Sequence, residues 1–446
     1  MIQVSVDFTD RRGRIKPLHG VNNSPVTHGQ PITAFQEAGI PYVRLHDAMG
    51  AYGGTCYVDI PNIFTDFSAD ENDPACYHFE FTDAYLAGLT ASGCKIFYRL
   101  GVTIENYYQI RRVHSFTPSD FEKWARICEH IIAHYNEGWA DGFHMGIEYW
   151  EIWNEPENPP MWSGTREDYF RLYEITATHL KKRFPEIKVG GYAGCGFYCV
   201  TRDNMDEFYE SFMDWFDLFL ERMSGRAPVD FFSWHLYTAD PREIEAHARY
   251  VADKLYAYGY YDTENIFDEW NYMNDLPTRF DDMKTAEGAS FVAAAFSVMQ
   301  NGPIDKAMYY DAMPSRAYGG LFHFPSGSVT KTWYAFKAFN CLYRLGASVA
   351  VNSGDNCIYP VAAVGNREKA VLISSFSCNE ECIWLDLKGM GEGLKQADVY
   401  CLDADNDLAL TKIEYFASDH AKMLLRSKDQ TVFLIVIKEM PDVQAE

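Results

Sequence analysis

Tyr149-Trp150-Glu151-Ile152-Trp153-Asn154-Glu155-Pro156 is a run of bulky apolar residues interrupted by two glutamates and closed by a proline. Aromatic and β-branched residues over this length predict a buried strand. Pro156 lacks the N–H that a ladder needs, so the strand stops there and leaves Asn154 and Glu155 at its C-terminal end. Alternation predicts Glu151, Trp153 and Glu155 on one face and Trp150, Ile152 and Asn154 on the other. A second stretch, Ile266-Phe267-Asp268-Glu269-Trp270-Asn271, has the same make-up. It predicts another buried strand with Glu269 near its C-terminal end and Asp268 on the opposite face.

Outward from these two stretches the chain alternates strands with helices, without internal repeats, which predicts a parallel sheet. His19-Gly20-Val21-Asn22, Tyr42-Val43-Arg44-Leu45-His46, Lys95-Ile96-Phe97-Tyr98-Arg99-Leu100 and Lys306-Ala307-Met308-Tyr309-Tyr310 read as further strands. Over 121–135, Phe121, Trp124, Cys128, Ile131 and Tyr135 recur at spacings of three and four, so one stripe of a helix capped by Ser119 faces the sheet. Thr165-x-x-Asp168 predicts a capping box, and Lys181, Lys182 and Arg183 suit the C-terminal end of the helix that it opens before Pro185.

After about residue 346 the pattern changes to short alternating segments, 357–364, 370–376, 381–387, 398–402, 421–425 and 431–436, which predict an antiparallel β-sandwich of about 100 residues. The strand expected over 3–8 adds an edge to it. Trp384, the one tryptophan of this region, reads as core. The resulting division is 1–15 as a strand of the sandwich, 16–345 as the barrel and 346–446 as the sandwich; a chain of 446 residues is long enough for both cores.

Two strand-end carboxyl groups are what a retaining glycosidase needs, one protonated as general acid and one ionised as nucleophile, about 5–5.5 Å apart. A net charge of −24 disfavours nucleic acid, anionic membrane and polyanionic substrates, so a neutral glycan is the compatible ligand. The aromatic content of 16% fits a protein that stacks sugar rings on flat side chains. No stretch of about 18 apolar residues predicts a membrane span. Met1-Ile2-Gln3-Val4-Ser5-Val6-Asp7-Phe8 alternates like a strand and lacks the features of a secretory signal, and the 11 cysteines read as reduced thiols, so the expected location is the cytoplasm. Cys195-x-x-x-Cys199 and Cys378-x-x-x-Cys382 lack the tight paired spacing of a zinc site, so no metal and no cofactor is expected. Self-association into a homo-oligomer stays open.

Trp153-Asn154-Glu155-Pro156, followed by Trp162-Ser163-Gly164-Thr165 and Asp168-Tyr169-Phe170-Arg171-Leu172-Tyr173, resembles the acid/base region of glycoside hydrolase family 39, the β-xylosidases and α-L-iduronidases of a retaining (β/α)₈ clan. Lys188-Val189-Gly190-Gly191 resembles the family's next strand, and Asp230-Phe231-Phe232-Ser233-Trp234-His235-Leu236-Tyr237 its His-x-Tyr strand. The resemblance spans roughly 16–345 and implies a (β/α)₈ TIM barrel followed by the β-sandwich. It implies Glu155 as acid/base and Glu269 as nucleophile; their separation, 269 − 155 = 114 residues, leaves room for three βα units. It also implicates His46, Asn154 and His235 in holding the glycone, with Asp47, Tyr237 and Tyr310 as further candidates at strand ends. Asn154 would hydrogen-bond the sugar 2-hydroxyl. The implied activity is a retaining, exo-acting, β-xylosidase-like hydrolysis of short oligosaccharides or glycosides. The chain departs from the family after the eighth strand, where Tyr309-Tyr310-Asp311-Ala312-Met313-Pro314-Ser315-Arg316 leads quickly to Gly319-Gly320-Leu321. That short loop, in which Asp311 or Arg316 could replace lost contacts, keeps arabinosidase, galactosidase and glucosidase readings open, beside an inactive glycan-binding barrel.

Overall fold

The structure, a computed structural model, describes residues 2–25, 33–46, 48, 58–103, 117–159, 161–273, 279–379 and 381–441. The chain opens with β1 (Ile2–Arg14) and then enters a closed barrel of eight parallel strands: β2 (Gly20–Asn22), β3 (Tyr42–Leu45), β4 (Lys95–Leu100), β5 (Tyr149–Ile152), β6 (Lys188–Gly194), β7 (Phe231–Thr238), β8 (Glu264–Tyr272) and β9 (Lys306–Tyr309). Pairing of β2 with β9 closes the ring. The expected strands and the (β/α)₈ class stand, with shifts only at strand ends.

Alternation along the strands fills the barrel in layers. Tyr42, Phe97, Tyr149, Phe231, Ile266 and Met308 form an apolar cluster of their own. Two residues further along the same strands come Arg44, Arg99, Glu151, Ser233 and Asp268, all fully buried. The first layer seals the barrel from one end, so the polar layer above it is cut off from water on that side and its charges must satisfy one another.

Around the barrel the helices follow their sequence periodicity. The helix Phe121–Asn136 buries Phe121, Trp124, Cys128, Ile131 and Tyr135, but its cap is Asp120, whose carboxylate accepts from the Lys123 N–H at 2.8 Å, and not Ser119. A carboxylate one residue nearer the helix reaches the same orphan donor and suits the positive helix end. The helix Arg166–Arg183 has the expected capping box between Thr165 and Asp168.

The second layer is one nine-stranded sheet. Besides β1 it holds β10 (Ala347–Ser353), β11 (Ile358–Val364), β12 (Glu368–Ser375), β13 (Cys382–Lys388), β14 (Lys395–Leu402), β15 (Ala409–Phe416), β16 (Ala421–Arg426) and β17 (Thr431–Glu439), in the order β15-β14-β17-β12-β11-β10-β1-β13-β16. It folds over on itself, because side chains of β1, β13 and β16 share one apolar cluster with those of β12, β14 and β17. β1 lies inside the sheet, antiparallel to β10 and parallel to β13, and is not an edge as expected. The opposite faces of β11, β12 and β17 supply Val361, Ala363, Ala370, Leu372, Val432 and Leu434 to the barrel's own core. Two hydroxyls stitch this contact, Ser297 Oγ donating to Pro360 O and Ser374 Oγ to Ser290 O, each at 2.6 Å.

Two expectations fail in this sheet. Cys357 and Cys378 form a disulfide, so the thiols are not uniformly reduced. The β11–β12 hairpin brings them together: Ile358, which follows Cys357, pairs with Ser375, three residues before Cys378, and the two Cα atoms lie 5.2 Å apart. Trp384 is not core; it projects from the outer face of β13 and is 38% exposed. Among the described residues no helix is long and apolar enough to cross a membrane.

Candidate active site

β5 ends at Ile152, and the chain beyond it does not keep a strand's alternation. Trp153 and Glu155 take positive φ values of 75° and 44°, a conformation that costs a non-glycine residue of order 1–3 kcal/mol. These two kinks turn Asn154 and Glu155 both toward the barrel axis, while the Trp153 indole turns away and donates to Met161 O at 2.8 Å. The expected sorting of Asn154 and Glu155 onto opposite faces therefore fails. Asn154 Oδ1 accepts from Arg44 Nη2 at 2.8 Å, and its buried Nδ2 has no acceptor among the described residues.

A bulge has the same effect in β8. Trp234 pairs with Phe267 and His235 with Glu269, so Asp268 is the extra residue. Asp268 continues the inward series from Ile266, and the bulge then turns Glu269 inward as well. The expectation that Asp268 faces away from Glu269 is thus corrected. Asp268 Oδ2 lies 3.0 Å from Arg44 Nε and Oδ1 lies 3.6 Å from His235 Nε2.

The sequence-derived candidates converge at this end of the barrel. His235 Nδ1 hydrogen-bonds Glu155 Oε1 at 2.7 Å, and Asn158 Nδ2 donates to Glu155 Oε2 at 2.9 Å. Tyr237 donates its hydroxyl to Glu269 Oε1 at 2.6 Å, and Arg44 Nη1 reaches Glu269 Oε2 at 3.2 Å. One oxygen of Glu155, one of Glu269 and a ring nitrogen of His235 lie within 4.8 Å of one another. Such a set could ligate a cation, but the Arg44 guanidinium already supplies positive charge to Glu269. His46 is buried, and its ring centroid lies 6.4 Å from that of Tyr310, which in turn lies 6.5 Å from Tyr237. Asp47 lies outside the described residues. Asp311 is buried, 3.5 Å from the Asn23 amide, whereas Arg316 lies over the exposed Phe324 ring on another cavity wall and does not join the cluster.

Four residues of this site escaped the sequence reading: Arg44, Glu151, Asp268 as an inward group, and Glu157. Their signal was available in part, because a charged residue in phase with the inward aromatics of a buried strand cannot be solvated. Arg44 is the hub. Its Nε and Nη2 both donate to Glu151 Oε2, at 2.8 and 2.7 Å, and Nη1 also donates to Asn22 Oδ1 at 2.9 Å. One guanidinium therefore serves three buried carboxyl groups, those of Glu151, Asp268 and Glu269.

Such crowding sets the protonation of each. Burial pushes Asp268 well above the ordinary carboxylate range, and the Glu151 charge adds to it. Burial acts most strongly on Glu151, but the Arg44 charge together with hydrogen bonds from Asp268, Ser233 and Arg44 outweighs it and holds Glu151 low. Glu157, whose Oε1 accepts from the Cys195 N–H at 2.6 Å, is pushed far up by burial and by the charge of Glu155. For the central pair the directions oppose the expectation. Glu269 is raised, by burial first and then by Glu155, while burial of Glu155 is outweighed by its contacts with His235 and Asn158, and it is lowered. His46 is kept neutral by burial and by the positive charges of Arg44 and Arg99.

Comparisons with known proteins bear on the family and the fold. The family model described as glycosyl hydrolases family 39 matches residues 23–307, well over half of the chain. A β-xylosidase of Geobacillus stearothermophilus is 26% identical over 216 residues, 46% of this chain and 38% of the relative, and one of Caldicellulosiruptor saccharolyticus is 25% identical over 217 residues, again 46% and 38%. The match thus spans well under half the length of these curated relatives. Among solved structures, a glucosidase from Croceicoccus marinus superposes with a TM-score of 0.81 at 22% identity, covering 99% of both chains. A monomeric beta-xylosidase from Caulobacter crescentus gives 0.73 at 16%, covering 99% of this chain and all of the other. At such identities these structures speak for the fold.

Proposed function

The chain belongs to glycosyl hydrolases family 39, and from that premise we propose that it is a retaining, exo-acting, xylosidase-like glycosidase that releases terminal sugars from short neutral glycosides by double displacement. The observation that carries the reading is the closeness of the two carboxyl groups: oxygens of Glu155 and Glu269 within 4.8 Å suit the 5–5.5 Å of a retaining pair and leave no room for the water that an inverting pair, about 6.5–9.5 Å apart, must hold.

In this mechanism Glu269 attacks the anomeric carbon. Tyr237 and Arg44 aim its carboxylate and stabilise its ionised form, which offsets burial once Glu155 has taken up the proton. Glu155, which His235 hydrogen-bonds at 2.7 Å, protonates the leaving oxygen. When Glu269 is esterified its charge disappears, the pull on the Glu155 proton reverses, and the Glu155 carboxylate activates water. Asn154, whose Oδ1 is anchored by Arg44, offers Nδ2 to the sugar 2-hydroxyl, a contact that strengthens as the oxocarbenium-like charge develops.

A panel of aryl β-xylosides, β-glucosides, β-galactosides and α-L-arabinosides tests the reading, with early-time proton NMR of the first product. Turnover of one member with retained configuration is expected. An inverted first product, or internal cleavage of a long oligosaccharide before any monosaccharide appears, contradicts it. A glucosidase is the second reading, favoured by the likeness to the Croceicoccus marinus enzyme along the whole chain. Failure on every glycoside would leave the inactive glycan-binding barrel.

A further inference from the structure

β13 alternates cleanly. Ile383, Leu385 and Leu387 point into the apolar cluster, so Trp384 and Asp386 point outward. Register defines their neighbours on that outer face. Trp384 lies between Gln3 of β1 and Leu424 of β16, and Asp386 between Ser5 and Lys422. Cross-strand neighbours of this kind stand about 4.5–5.5 Å apart. The two rows lie two residues apart along the strand, about 6.6 Å.

Together they border a cavity of about 430 Å³ lined by Ile2, Gln3, Trp384, Leu385, Asp386 and Lys422. The indole is 38% exposed, and no other aromatic ring among the described residues lies against it. Beside it Asp386 is only 7% exposed, although it is a carboxyl group on an outward face, and His420 Nε2 hydrogen-bonds it. An uncovered flat apolar face, with an amide, a carboxyl and an ammonium group at its edge, matches a pyranose ring, which has an apolar C–H face and hydroxyls around its rim. It matches other ligands poorly. A protein net charge of −24 repels polyanions, and an apolar partner would find only Trp384 and Leu424 on these two rows. The strands that carry the platform sit away from the barrel, which packs instead against β11, β12 and β17.

We propose that the outer face of β1, β13 and β16 is a second glycan-binding site, distinct from the Glu155–Glu269 centre, in which Trp384 stacks on a ring of a neutral β-linked pyranose chain while Gln3, Asp386 and Lys422 hydrogen-bond its hydroxyls. Its choice of ligand rests on the glycosidase reading; its location does not. Holding a glycan chain there would raise the concentration of its ends near the active site without altering the chemistry of bond cleavage.

Affinity gel electrophoresis of the full chain in gels containing soluble xylan, xyloglucan or mixed-linkage β-glucan tests this, run beside the aryl-glycoside assay. Wild type should be retarded in at least one gel; W384A should bind about tenfold more weakly, W384F should keep most of the retardation, and both should turn over aryl glycosides as wild type does. Absence of retardation of wild type in all three gels overturns the site. So does equal retardation of W384A, which would assign binding to the barrel, or a parallel loss of aryl-glycoside turnover in W384A. If retardation depends on Trp384 while no aryl glycoside is cleaved, the second site stands and the catalytic reading is the one that fails.

Discussion

β8 and β13 are both strands of alternating character, and they use alternation in opposite ways. In β13 the apolar residues go in and Trp384 and Asp386 go out, as a half-solvated antiparallel sheet requires. In β8 every residue from Asn265 to Tyr272 is buried, and the inward positions after Ile266 are polar. A bulge then brings Asp268 and Glu269 into the same interior. Strand periodicity thus reports which side of a sheet a residue occupies, but it reports solvent or core only when one side is wet, and it fails wherever the ladder slips by a residue.

The strongest way to break this contrast is at Glu269. Glu269→Gly should abolish turnover, with azide restoring it as a glycosyl azide of inverted configuration; if that variant stays active without added anion while Asp268→Asn is dead, the bulge assigns the two side chains the wrong way round. Glu155→Ala should still form the glycosyl-enzyme from substrates with good leaving groups, and poor leaving groups should lose on the order of 10²–10⁴ in rate, measured as kcat/KM across a series of aryl aglycones.

Stability probes sharpen the same comparison. Arg44→Leu leaves Glu151 and Glu269 buried without their cation and should cost about 3–5 kcal/mol in denaturant unfolding. On β13 two neighbours should differ sharply: Leu385→Ala, at a fully buried site, by about 2–5 kcal/mol, against less than about 0.5 kcal/mol for Trp384→Thr on the outer face.

The smallest effect belongs to Asp268→Asn, where an isosteric amide replaces a buried carboxyl group whose pKa is raised. A carboxyl whose folded pKa lies above its ordinary value of 3.8 favours the fold at pH below that value, and the advantage is lost as pH rises toward the folded pKa. Melting temperatures should therefore shift in favour of Asp268→Asn, relative to wild type, as pH rises from about 4 to 8. A difference that is flat with pH would mean that Asp268 is ionised in the fold.

Much of the site was legible because it sits on strand ends. Asn154, Glu155, His235, Tyr237 and Glu269 each lie within or directly after a run rich in bulky apolar residues, and a buried strand accommodates such a run. Arg44 was readable as a strand residue but not as the hub, since its partners come from β5 and β8. Ser119 and Asp120 both suit a helix cap, and which one acts depends on where the helix begins. The Cys357–Cys378 pair depends on the register of the β11–β12 hairpin, which spacing does not encode.

By itself the sequence determined what short-range physics can determine: strand and helix periods, the helix stop before Pro185, the capping box at Thr165, and two carboxyl groups near the C-terminal ends of strands. Only the tertiary structure decided that β5 ends at Ile152 and not at Pro156, that β1 lies inside the second sheet, that Trp384 faces outward, that Asp268 and Glu269 face the same way, and in which direction burial and neighbours shift each carboxyl group. The reason is the range of the forces involved. Backbone period and side-chain shape act over a few residues, whereas burial and Coulomb interaction depend on neighbours brought from β3, β5, β7 and β8, up to 225 residues apart in the chain between Arg44 and Glu269.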